Sequence, residues 1–136
     1  KDPSSIFEAE FGRQEPAKQF ILGELADRIA RITPGQKISY ITDVLYNRSN
    51  RQRIVEFVKG SNHLFIEAVF LERDREIAER KHHLTTRQAG LLAGKARVKQ
   101  MTVFHFSARY TGLEAQLREE ARAAYESSFE AFPEPG

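Results

Sequence analysis

Two short apolar runs each end on a side chain that can bind metal. Lys37-Ile-Ser-Tyr-Ile-Thr-Asp43 delivers a carboxylate, and Met101-Thr-Val-Phe-His105 delivers an imidazole. Strands that neighbour one another in a parallel sheet release such residues at one C-terminal edge, where open α/β sheets collect ligands. Asp43 and His105 so placed are two candidate metal ligands, short of the three that a catalytic zinc takes from protein. Taken alone, Asp43 reads equally well as a cap for the segment after its strand, and His105 as a hydrogen-bonded core residue. The polar groups that follow His105 in Phe106-Ser-Ala-Arg-Tyr110, namely Ser107 and Arg109, shift the balance toward function. An Arg fork suits phosphate oxygens. Arg109 by itself would read as half of a surface ion pair.

Two more residues qualify. His82 and His83 precede Thr85-Thr-Arg-Gln88, a capping-box pattern. A helix N-terminus offers free N–H groups and a positive dipole end, so His83 stands at an anion-facing position. Adjacent histidines point in different directions, and one of the pair is expected to reach a shared site. Glu67 lies inside an apolar run; a carboxylate buried there must be hydrogen-bonded, and it reads as support for ligands and not as a catalyst. His63 opens the same run and is assigned no role.

The elements that must position these residues alternate. A weak strand is expected over 5–11 and a helix over 17–32, with Phe20, Ile21, Leu25 and Ile29 at helical spacing and Pro34-Gly35 as its stop. A strand at 37–42 leads to a helix at 52–59, with caps offered by Asn47 to Ser49 and an end at Gly60. The aromatic and branched run 63–70 is a second strand, and 71–81 a short charged helix. The Thr85 cap opens an Ala- and Leu-rich helix through 96, strand 100–105 follows, and a last helix covers 113–129. Strands separated by helices imply right-handed crossovers and a parallel sheet. The fold class is α/β, and residues 1–136 are expected to form a single α/β unit.

Composition narrows the chemistry. With 136 residues, 40% of them hydrophobic and 29% charged, the chain is ordinary for a globular domain. A net charge of +2 permits an anionic partner without requiring one. The absence of cysteine excludes disulfides and thiolate metal sites, leaving His, Asp and Glu to hold any metal. No apolar run reaches membrane-spanning length and no signal-peptide pattern opens the chain, so a cytoplasmic location without membrane contact is expected. The first residue is Lys1 and the sole methionine is Met101, from which a segment of a longer chain is expected.

Three segments in order carry a family resemblance: Ser39-Tyr-Ile-Thr-Asp43, His83-Leu-Thr-Thr-Arg-Gln-Ala89 and His105-Phe-Ser-Ala-Arg-Tyr110. With Phe65-Ile-Glu-Ala-Val-Phe-Leu71 between the first two, they resemble the C-terminal part of metallo-β-lactamase-fold hydrolases. The closest resemblance is to ribonuclease Z, the tRNA 3′-end-processing endonuclease, and it spans Ile38 to Gly112. It implies the C-terminal half of an αββα sandwich, with a small, mainly parallel sheet flanked by helices. It also implies roles: Asp43 as the carboxylate bridging two metal ions, His105 as a terminal ligand of one, and His83 as the histidine that assists phosphodiester cleavage. Arg109 and Ser107 fall in the phosphate-side Ser-x-Arg-Tyr segment. The implied metal is zinc, two ions in the complete domain, although His and Asp sites take manganese or iron as well.

Two departures bear on the expectation. Phe104 stands where Thr commonly precedes the last histidine. The family's His-x-His-x-Asp-His motif, source of most ligands, does not occur in the chain. The expected parent is therefore a metal-dependent hydrolase acting on pre-tRNA or another phosphodiester. This chain alone is expected to be inactive, with the N-terminal half of the domain as its missing partner. An uncovered apolar face would make it self-associate, as a homo-oligomer. A rival reading is a non-catalytic interaction or dimerisation module derived from such a fold, with Asp43 and His105 as relics. A receiver-like domain with Asp43 as phosphoacceptor would need five strands and an acidic pair on the first, and neither is visible.

Overall fold

The computed structural model describes residues 2–9, 18–29 and 35–131, and the chain divides into two compact units, 1–35 and 36–136. In the first, β1 (Ile6–Ala9) pairs antiparallel with β2 (Lys18–Ile21), in the register Ile6 opposite Ile21, and α1 (Leu22–Ile29) follows directly. The helix expected over 17–32 thus gives up its first turn to a strand. Two contacts favour this: Gln19 donates to the Glu8 carboxylate across the pair at 2.6 Å, and the Gly23 N–H finds the Pro3 carbonyl at 2.8 Å. The expected end of that helix and its Pro34 stop lie outside the described residues.

The second unit holds the site. Its order is β3 (Ile38–Ile41), α2 (Arg48–Val58), β4 (His63–Glu67), α3 (Arg75–Lys81), α4 (Thr86–Lys95), β5 (Met101–Phe104) and α5 (Glu114–Ala131). Tight 3-10 turns at Glu72–Asp74 and Ala108–Tyr110 precede α3 and α5. The three strands form a parallel sheet in the order β3-β4-β5, with Tyr40 beside Phe65 and Phe65 beside Thr102. This is the α/β arrangement that the alternating strand and helix patterns predict. Asn47 caps α2 by accepting the Asn50 N–H at 2.8 Å, which starts that helix four residues before the expected position. At Thr85 both halves of the capping box form, Thr85 Oγ1 accepting from the Gln88 N–H and Gln88 Oε1 from the Thr85 N–H.

Strand residues alternate between two faces. Ser39, Leu64, Ile66 and Val103 are buried, the three apolar ones in a core completed by Ile54, Val58, Ala89, Leu92, Ala93 and Ala121 of the helices. Behind this layer α4 packs closely on α5. A methyl group added at Gly90 or Gly94 would collide with the Ala121 carbonyl or the Ser128 hydroxyl, so only glycine lets the two helix backbones approach this far. The opposite sheet face presents Ile38 and Tyr40, 64% and 59% exposed, with His63, Phe65, Thr102 and Phe104 beside them. There Tyr40 and Phe104 rings lie 4.8 Å apart, and His63 stacks on Phe65 at 4.2 Å. No helix among the described residues is long and apolar enough to cross a membrane.

Candidate metal centre

All three strands deliver a polar residue to the C-terminal edge of the sheet. Asp43 follows β3, Glu67 ends β4, and His105 follows β5. Asp43 and His105 leave their strands in the left-handed backbone region, with φ of 54° and 65°. Asp and His are among the residues that tolerate it best. The fourth member, His83, comes from the α3–α4 connection. His82 ends α3 in the left-handed region at φ 59°, and its N–H reaches the Glu79 carbonyl, while the His83 N–H reaches Ala78. That turn sends the two histidines apart: His82 faces solvent and His83 joins the sheet edge.

Donor atoms of Asp43, Glu67, His83 and His105 all lie within 4.8 Å of one another. Glu67 is their hub, with a side chain that has no solvent exposure. Its Oε2 accepts the Asp43 N–H at 2.7 Å, and its Oε1 accepts the Leu84 N–H at 2.9 Å. The Nδ1 atoms of His83 and His105 approach the same Oε2 at 3.2 and 3.4 Å. One buried carboxylate therefore fixes the backbone of two segments and the His83 ring, with the His105 ring beside it. The rings stand edge-on at 84°, and His83 Nδ1 is 3.8 Å from Asp43 Oδ1. Asp43 and His105 remain the open members, their side chains 66% and 44% exposed.

The donor set suits a divalent cation. Imidazole nitrogens and carboxylate oxygens without sulfur fit zinc, manganese or iron. Glu67 already accepts the Asp43 and Leu84 N–H groups and bonds the His83 ring, with the His105 ring 3.4 Å away. Asp43, Glu67, His83 and His105 thus form a group that could hold a metal ion, with Asp43 and His105 its most open members.

Arg109 and Ser107 lie one layer out. Arg109 is half-exposed, 3.8 Å from Asp74, and its guanidinium sits 5.8 Å over the Phe70 ring, which in turn lies 6.4 Å from the His83 ring. Ser107 ties its loop to the scaffold through its N–H to the Val69 carbonyl at 3.0 Å. His63 stands outside the cluster, bonded to Thr102 Oγ1 at 2.8 Å.

Three supports escaped sequence reasoning. Tyr110 donates to the Asp74 carboxylate and accepts the Leu71 N–H, fixing the loop of Arg109 against the loop after β4. Burial, and then the Asp74 bond, push the Tyr110 hydroxyl pKa up. Thr85 donates to Glu72, and Thr86 to Glu120, at 2.5 Å each, and Glu120 also takes the Glu72 N–H. These bonds bridge 13 to 48 residues of sequence, and no local pattern announces them.

No family model matches the chain. It is 33% identical over 113 residues to the ribonuclease Z of Deinococcus radiodurans, covering 83% of this chain and 32% of that protein. To the ribonuclease Z of Bacteroides thetaiotaomicron it is 41% identical over 92 residues, 68% of this chain and 28% of the relative. The chain thus spans about a third of the length of the curated relatives it matches. Among solved structures it superposes on YhfI of Bacillus subtilis, a metallo-β-lactamase fold protein, with a TM-score of 0.52 and 22% identity. The superposition covers 61% of this chain and 31% of that one.

Proposed function

From a sequence allied to ribonuclease Z and a fold shared with the metallo-β-lactamases, we propose that this chain is the C-terminal portion of a metal-dependent phosphodiesterase. The complete protein, in this reading, is a ribonuclease Z-like endoribonuclease of the cytoplasm acting on pre-tRNA or a related phosphodiester. Residues 1–136 contribute to one hydrolase domain, whose N-terminal half supplies the remaining ligands through a His-x-His-x-Asp-His motif. The single observation that supports this most is the convergence of Asp43, His83 and His105, from three separated segments, on Glu67.

Asp43 and His105 would hold metal; zinc is the first choice, with manganese or iron as alternatives. Bound metal would supply an activated water and offset charge on the attacked phosphate. Glu67 orients the set. Its bond to His83 Nδ1 leaves Nε2 as the working nitrogen of that ring, while His105 Nδ1 faces the same oxygen at 3.4 Å. His83 then carries a proton to the leaving oxygen, a task worth about 10²–10⁴ in rate. Arg109 is assigned to the phosphate side, its fork steadied by Asp74 and Phe70, with Ser107 in the same loop. The chain alone, with a partial ligand set, is inactive in this reading.

A second reading is supported by the open aromatic sheet face: a non-catalytic interaction or homo-oligomerising module, with Asp43 and His105 as relics. One experiment separates them. In the complete protein, His83→Ala should lower turnover of a phosphodiester at least about a hundredfold while metal content stays constant. Metal loss in that variant would make His83 a ligand, and a wild-type protein holding no metal would favour the interaction module.

A further inference from the structure

The loop leaving Asp43 passes through Tyr46 into α2, and a groove of about 670 Å³ opens between α2 and α4. Tyr46, Arg48, Arg51 and Val55 form one wall, Leu91 and Leu92 the other. Its charges are sorted by position. Arg48 and Arg51 stand within the first turn of α2, which carries no acidic residue. Glu56 follows eight residues after Arg48 and so lies about 12 Å further along the helix axis. Lys95, the last residue of α4, lines the same far end as Glu56, because the Ala96 carbonyl after it accepts the Gly60 N–H just past α2 at 2.9 Å. Tyr46 is three residues beyond Asp43, which bounds their separation at about 11 Å. The end of the groove lined by cations without a carboxylate is thus the end tethered to Asp43. The Arg51 guanidinium rests 5.1 Å over the Tyr46 ring, which holds the fork in place before any ligand arrives.

We propose that this end of the groove receives the backbone of an RNA strand leading away from the metal centre, with Arg48 and Arg51 on successive phosphates. The inference rests on the phosphodiesterase reading for its substrate class. Two arginines three residues apart on a helix are neighbours on one face, a spacing close to that of adjacent phosphates along a strand. Each offers a bidentate fork. An acidic peptide filling the whole groove would instead meet Glu56. The apolar floor of Val55, Leu91 and Leu92 accommodates sugar and base surface.

The test uses the chain in EDTA, so that neither metal nor turnover enters the readout. A labelled single-stranded RNA of roughly twelve nucleotides, within the site sizes of strand-binding proteins, is titrated by anisotropy between about 50 and 200 mM salt. The wild-type chain should bind with a steep salt dependence. Arg48→Gln and Arg51→Gln should each reduce the slope of log affinity against log salt by about 0.7, and the double variant should bind at least about tenfold more weakly at low salt. Arg48→Lys with Arg51→Lys should keep the slope. Both side chains are exposed, so the fold is not at stake, and circular dichroism checks it. Absence of RNA binding, an unchanged slope in the double Gln variant, or equal competition by oligoglutamate would each overturn the proposal. None of these would touch the phosphodiesterase reading, which fails only on metal content and turnover of the complete protein.

Discussion

One face of the β3-β4-β5 sheet, carrying Leu64, Ile66 and Val103, lies sealed beneath helices; the other presents Ile38, Tyr40, Phe65 and Phe104 with no helix of residues 36–131 over them. Parallel sheets ordinarily have both faces covered, and the open face here has the composition of an interior. Its exception is Glu67, which shares the parity of His63 and Phe65 and yet is fully buried. The loops after β3 and β5 and the His83 connection close over it. Within residues 36–131 the open face is therefore roofed where the four donor groups gather. The covered face provides stability, and the open one provides the site and room for a second layer.

The contrast can be broken most severely from the sealed side. Gly94→Ala would drive a methyl into the Ser128 side chain and to 2.8 Å from the Tyr125 carbonyl, prying α4 from α5. Overpacking costs about 1–3 kcal/mol where neighbours can give; against a backbone oxygen we expect the upper end or more, a loss of about 10 °C or more in Tm. At the roofed end, Glu67→Gln should cost about 1–3 kcal/mol, because an amide with a single oxygen cannot accept both the Asp43 and Leu84 N–H groups, which Glu67 takes on different oxygens. Denaturant unfolding measures it, and metal affinity should fall alongside. On the open face, Tyr40→Lys should change stability by no more than about 0.5 kcal/mol. It should, however, weaken self-association of the chain, read by sedimentation. A wild-type chain that is monomeric when dilute would remove the need for a second layer.

The sequence made some of this legible for local reasons. The runs ending at Asp43 and His105 declare strands by their apolar content, and Thr85-Thr-Arg-Gln88 declares its cap within four residues. Asp43, His83 and His105 could be nominated because each sits at an element boundary. The hub could not be ranked in the same way. Glu67 acquires its standing from the N–H groups of Asp43 and Leu84, 24 and 17 residues away, and those distances close only in the fold. Lys18–Ile21 failed for a kindred reason: Phe20 and Ile21 suit helical periodicity, and a partner strand nine or more residues earlier decides the matter. Gly90 and Gly94 read as flaws in an Ala-rich helix until α5 is laid against them.

The left-handed turns at Asp43 and His105 put stability and the proposed metal binding in opposition at the same two residues. Glycine adopts that conformation freely, whereas a side chain there costs about 1–2 kcal/mol. Either position would thus gain stability as glycine and lose its candidate donor group in the same stroke. A search for stabler variants of this scaffold, run without regard to metal, would drift toward a protein that is easier to fold and has nothing left to bind.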